Sequence, residues 1–249
     1  MAKQRHLSRA PITEALIDIH VAPRDGLKHA DLTASIGEPG FGYYVKGSIA
    51  QGFFNLELPT NGRTPQTKAQ AELVGVRLHS LDERYVAQFR TTGFTLSRLP
   101  PYEEWERLVE ETRRVWAIYM ARLAPRRVVR VATRFINNLR LPMRPGDSYQ
   151  TYLQKLADVP EEAPQAMASF LQRFQLVDME TGARVNLTLA VDETPESPPV
   201  PVILDIDAFM LIDLDPADAQ VWTILERLRQ LKNRTFFSTI TERAAELYQ

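Results

Sequence analysis

The 249-residue chain contains no cysteine. Disulfides, thiolate metal centres and thiol nucleophiles are excluded together, and the absence fits a reducing compartment. Histidine is scarce: His6, His20, His29 and His79 are dispersed, and no two have a metal-ligand spacing such as His-x-x-x-His. No apolar run approaches the roughly 20 residues that cross a bilayer. The polar stretch Met1 to His6 leads into no signal-peptide core, so the chain reads as cytoplasmic and free of the membrane. There is no excess charge of either sign. Lys and Arg number 30 against 31 Asp and Glu, so overall charge selects no polyanionic or polycationic partner. Ser and Thr are never framed by a nucleophile elbow. Gly37-x-x-Gly40-x-Gly42 has the composition of a phosphate loop but precedes a strand instead of opening a helix, so it reads as a turn. No catalytic motif stands out and no cofactor is implied.

What is present is a 44% hydrophobic chain that alternates between two periodicities. Residues 11–22 have period two, with Ala15, Ile17, Ile19 and Val21 on a dry face and Glu14, Asp18 and His20 opposite. A short helix is expected within 25–36, one strand or a bent pair over 43–58, and a polar loop over 60–70. A hairpin is expected from Val74–Leu81 and Tyr85–Leu99. From Trp105 to Leu123 apolar residues recur every three or four positions, which predicts a helix that Pro125 ends. The next strand covers 127–141, with Val129, Val131, Thr133 and Phe135 on its dry face, Arg130, Arg134 and Ile136 opposite, and Asn137-Asn138 at a strand end. Asp147 or Ser148 caps a short helix. A hairpin pairs Phe170–Val177 with Arg184–Val191 around Glu180-Thr-Gly182, and a last strand spans 200–214. Helical spacing resumes over 218–231 and changes phase near Asn233, where a break is expected. Trp105, Trp116 and Trp222 fall on the helical stripes.

Two strand-to-helix edges share a pattern. Phe94-x-Leu-x-x-Leu-x-Pro101 and Phe209-x-Leu-x-x-Leu-x-Pro216 each lead into a long amphipathic stretch. This repetition predicts an α+β fold of two related βα(β)3–4α halves, 1–125 and 126–249. Together they would form one curved antiparallel sheet, with long helices covering the apolar face and the polar face open. In element order this resembles TATA-box-binding proteins, a likeness that carries no function.

The stretches Ala10-Pro-Ile-Thr-Glu-Ala-Leu-Ile-Asp18, Arg134-Phe-Ile-Asn-Asn-Leu139 and Asn233-Arg-Thr-Phe-Phe-Ser-Thr-Ile-Thr-Glu242 resemble a family of sporadically distributed bacterial proteins of about this length with no assigned function. The resemblance spans nearly the whole chain. Patchy distribution is typical of accessory and conflict genes, so it implies a partner-binding role.

Charge is segregated along the chain. Residues 112–146 hold nine arginines and no acid, whereas 178–218 hold ten acids and one base, Arg184. Arg130 and Arg134 are expected to face Asp205 and Asp207 across neighbouring strands, and Glu14 and Asp18 to face Arg84, Arg90 and Arg98. Unpaired, the arginines of 126–144 would instead bind nucleic acid or a nucleotide. The Asp205-x-Asp207 pair puts two carboxylates on one face, as a metal-dependent hydrolase would require. Asn233, Phe236 and Phe237 form a candidate partner surface, since adjacent aromatics cannot fully share one helix face. The function expected is non-enzymatic recognition of a protein partner, such as the product of a neighbouring gene, as a regulatory or antitoxin-like part of a defence system. Open sheet edges also allow a homodimer.

Overall fold

Alternation at period two gives nine strands among the described residues. The computed structural model describes residues 1–33, 41–57, 66–144, 146–157, 159–164, 167–195 and 197–249. The strands are β1 (Ile12–Ala22), β2 (Tyr43–Glu57), β3 (Gln66–Ser80), β4 (Tyr85–Arg90), β5 (Gly93–Arg98), β6 (Arg127–Leu141), β7 (Phe170–Val177), β8 (Arg184–Val191) and β9 (Val200–Leu214). They form one open antiparallel sheet in the order β2-β3-β4-β5-β1-β6-β9-β8-β7. The first and sixth strands are therefore neighbours at its centre.

Helices α1 (His29–Thr33), α2 (Trp105–Leu123), α3 (Gln220–Thr239) and α4 (Glu242–Glu246) pack on one face. Beneath them Ala15, Ile17, Ile19 and Val21 are buried. Ile17 lies between Leu96 and Thr133, and Ile19 between Phe94 and Val131. The stripe of α2 buries Trp105, Leu108, Thr112, Val115, Trp116, Tyr119 and Leu123. Trp116 stacks on Tyr119 at 5.2 Å, and Tyr119 meets Phe89 edge-on at 5.3 Å. Each such aromatic contributes about 2–3 kcal/mol by leaving water. Ala124 ends α2 in the left-handed region at φ 42°, its amide donating to the Met120 carbonyl, and Pro125 follows.

The α+β class, the single antiparallel sheet with helices packed on one face and most strand positions match the expectation, and the departures are informative. Tyr85–Leu99 is two strands, because a second turn at Thr91-Thr92 folds β5 back on β4. The stretch 66–70 of the expected polar loop belongs to β3, paired with β2, while 58–65 lie outside the described residues. So do 37–40 of the glycine stretch and 34–36 of the first expected helix. Val128, not Val129, is buried, because a bulge between Val128 and Arg130 shifts the phase of β6. Asn137 and Asn138 lie inside β6, where the buried Asn137 amide donates to the Phe135 and Leu204 carbonyls.

Helix α3 does not break at Asn233. Its buried residues Val221, Leu225, Leu228, Lys232 and Phe236 make one unbroken ridge, and the break comes at Ile240. The ridge looked interrupted only because one of its members is a lysine. The repeated Phe-x-Leu-x-x-Leu-x-Pro pattern is also out of phase in space. Phe94 and Leu96 lie in the core under the helices, whereas Phe209 and Leu211 point to the opposite face, with Ile206 and Ala208 in the core instead. A one-residue offset turns over every side chain of a strand.

Candidate functional site

The sheet face without helices, among the described residues, carries a polar ladder that crosses seven strands. Its centre is Asp18 of β1. One carboxylate oxygen accepts from Arg90 of β4 at 2.7 Å and from the Thr95 hydroxyl of β5 at 2.6 Å. The other accepts from Arg130 of β6 at 2.8 Å and lies 2.9 Å from His20 Nε2. Arg130 continues to Asp207 of β9 at 3.1 Å. Asn186 of β8 donates to Asp207 at 3.1 Å, and Gln175 of β7 donates to Asn186 at 3.1 Å. Sheet register brings these groups together. Asp18 is opposite Thr95 on one side and two pairs away from Arg130 on the other. Arg130 itself is opposite Leu211, so it reaches Asp207 by lying across Phe209, 4.5 Å above the ring.

Asp18 is 9% exposed, and burial alone would raise its pKa. Hydrogen bonding and charge attraction from His20, the charge of Arg90 and the Thr95 hydroxyl outweigh burial and hold the carboxyl well below the usual range. It is a fixed anion between two arginines. Removing it would strand Arg90 and leave Arg130 with Asp207 alone.

Of the candidates read from sequence, the ladder unites Asp18, Arg90, Arg130 and Asp207. Arg134 pairs with Asp205 through two bonds, 2.6 and 2.8 Å, on the same face. Both β6 pairs run diagonally, since Arg134 is directly opposite Asp207 and Ile136 opposite Asp205. Glu14 makes no ion pair within 4 Å among the described residues. The expected partner Arg98 is opposite Ala15, so it faces the helices and approaches Glu103 at 3.6 Å. Arg84 also turns to Glu103, at 3.5 Å.

The arginine-rich segment is largely engaged by its own chain. Arg126 meets Asp25 at 3.2 Å, Arg127 meets Asp213 at 2.6 Å, and Arg113 covers the Trp222 ring at 4.1 Å. Asp205 and Asp207 are held by arginines. Among the described residues no three His, Asp or Glu side chains converge as a metal-ligand group.

A second feature lies on the helix side. A cleft of about 710 Å³ opens between residues 4–12, the start of α2, β6 and the second half of α3. Phe135 and Asn137 of β6 line it, with Trp105, Arg229, Lys232, Asn233, Phe236 and Phe237. Both phenylalanines are buried, meeting edge-on at 5.2 Å. The adjacent pair is accommodated because the N-terminal segment is fixed to this end of α3. The Ala2 amide donates to the Phe237 and Ile240 carbonyls. Asn233 is partly exposed at the cleft wall.

Lys232 was not among the sequence candidates. It is 8% exposed, and its Nζ lies 3.6 Å from the centroid of the Phe135 ring. No oxygen partner holds it among the described residues. Burial first, and Arg229 second, pull its pKa down from 10.5 to about 7. The signal that could have found it is its place on an otherwise apolar helical ridge.

By architecture this is an α+β protein built on one open antiparallel sheet of nine strands, with a few helices packed against it. No protein-family model and no curated protein matches the chain. None of the described helices is long and apolar enough to cross a membrane.

Proposed function

We propose that the chain is a non-enzymatic recognition protein that binds a protein partner across its uncovered sheet face. The observation that carries this reading is the closed accounting of charge there. Asp18, Arg90, Arg130, Arg134, Asp205 and Asp207 satisfy one another, so the face is rigid and balanced in sign. A polyanion needs unspent cations. A protein surface of mixed polarity suits a fixed ladder bordered by exposed Leu211, Leu171 and Val177.

In the same reading the chain is two related halves, 1–125 and 126–249, with the element order of TATA-box-binding proteins. The strand orders β3-β4-β5-β1 and β7-β8-β9-β6, meeting at the centre, support this. The resemblance to sporadically distributed bacterial proteins supports a regulatory or antitoxin-like role in the cytoplasm. A homodimer would use the free edge of β7, which exposes Leu171, Phe174 and Leu176. Antiparallel self-pairing must keep each face continuous, so a residue pairs with one of its own parity. A register centred on Phe174 meets this and avoids opposing Arg173 to its copy.

The test is co-purification of the tagged chain with the product of the adjacent gene. Leu211→Arg and Arg134→Glu are expected to weaken the complex at least about tenfold, whereas Arg107→Glu on the outer surface of α2 leaves it intact. No co-purification, or equal loss in all three variants, would overturn the reading. Gel retardation at low salt is expected to detect no nucleic-acid complex.

A further inference from the structure

We propose that the cleft beside α3 is a binding site for a small apolar carboxylate, aromatic or aliphatic, whose carboxylate is met by Lys232. This site is separate from the sheet face and does not depend on it. The first support is the lysine itself. Its side chain lines the cleft, it is nine-tenths buried, and the π-face of Phe135 is the electrostatic partner it has among the described residues. Three N–H donors are left for an acceptor. The ridge position it occupies would take Met or Leu, so an ammonium there is a cost that the fold does not require.

The surroundings select the rest of the ligand. Trp105, Phe135, Phe236 and Phe237 give apolar walls, and a volume of about 710 Å³ suits a small organic molecule. Charge selects a monoanion over a phosphate. Arg229, whose charge acts on Lys232, is held by Glu226 at 3.2 Å and Glu106 at 3.4 Å, and Arg5 by Glu242. One cation is therefore unspent. Glu103, Glu104 and Glu106 also line the cleft and are paired with arginines, so they add no net positive charge for a multiply charged ligand.

Binding is coupled to protons. Lys232 titrates near neutrality, so a carboxylate that requires the ammonium form draws a proton from solvent as pH rises above about 7. Other ionisable groups face the site. Arg229 lies on the same helix, Arg5 and His6 on the N-terminal segment, and Glu103, Glu104 and Glu106 at the start of α2. His6 also lines the cleft, so His6→Gln is the control.

The experiment is isothermal titration calorimetry of the full chain with 4-phenylbutyrate and octanoate, and with the two matching amides. It is run at pH 6 and pH 8, in buffers of differing ionisation enthalpy. The carboxylates are expected to bind at least about tenfold more tightly than the amides. Binding is expected to weaken by about tenfold from pH 6 to pH 8, with proton uptake at pH 8. Lys232→Met should abolish the preference, and His6→Gln should retain it. Equal binding of acids and amides, no binding of either acid at millimolar concentration, or an unchanged preference in Lys232→Met would overturn the proposal. If Lys232→Met fails to fold, the acid-to-amide ratio and proton count of the unaltered chain decide the matter.

Discussion

The two faces of the sheet treat buried charge in opposite ways. On the open face Asp18 is surrounded by Arg90, Arg130, His20 and Thr95, and no charge in the ladder lacks a partner. Under the helices Lys232 sits against an aromatic ring, with no carboxylate beside it among the described residues. Burial acts on both groups against ionisation. On the open face three neighbours, His20, Arg90 and Thr95, reverse that effect, and in the cleft Arg229 adds to it. A buried charge with partners is part of the scaffold. One without them marks a place where something else supplies the partner.

The largest expected break in this contrast is Asp18→Ala, which leaves the partly buried Arg90 without an ion pair among the described residues and Arg130 with Asp207 alone, and should cost about 3–5 kcal/mol in denaturant unfolding. The unmodified chain should also lose stability on acidification below about pH 4. The carboxyl's folded pKa lies below the unfolded value of 3.8, so its contribution is present above that value and disappears as both states protonate.

Lys232→Met should act in the other direction, stabilising the fold by about 1–4 kcal/mol at pH 6. Between about 7 and 10.5 the unfolded chain holds the lysine proton and the folded chain does not, so native stability should rise with pH across that window. Thermal unfolding at pH 6 and pH 9 checks this, and a parallel rise in Lys232→Met would refute the assignment.

Arg130→Lys keeps the charge but cannot span Asp18, Phe209 and Asp207 at once. A loss of about 1–2 kcal/mol is expected, and none would mean that the bridge is energetically idle. The smallest effect belongs to Arg134→Ala. Its side chain is 43% exposed, so solvent screens the pair with Asp205 and the loss should stay below about 1 kcal/mol.

Much of this architecture is legible from alternation alone. Val185, Leu187, Leu189 and Val191 are buried in β8 as their spacing requires, and the stripe of α2 needs no tertiary information. Opposite charges on β6 and β9 were enough to forecast that Arg130 and Arg134 meet Asp205 and Asp207. Failures came where one residue changes a phase. The bulge at Val128 exchanged the roles of two valines, and the Phe209 repeat matched in letters while facing the other way. Arg98 was assigned to the wrong carboxylate because strand register decides the face, and register is a property of pairs. The cleft was invisible because Phe135, Lys232 and residues 4–8 are distant in sequence. Lys232 was hidden by its own polarity, since a lysine in a helix normally faces water.

The adjacency of β1 and β6 has a consequence for biosynthesis. β1 leaves the ribosome before its neighbour β6, which arrives only after α2 has been made. Until then the inner margin of β1 offers unpaired amides and carbonyls to any passing strand. Asp18 can already bind Arg90 and Thr95, but Arg130 has yet to be synthesised. The nascent first half therefore has one sticky, half-neutralised seam, and that seam is where a chaperone or a misplaced strand would dock before the chain is complete.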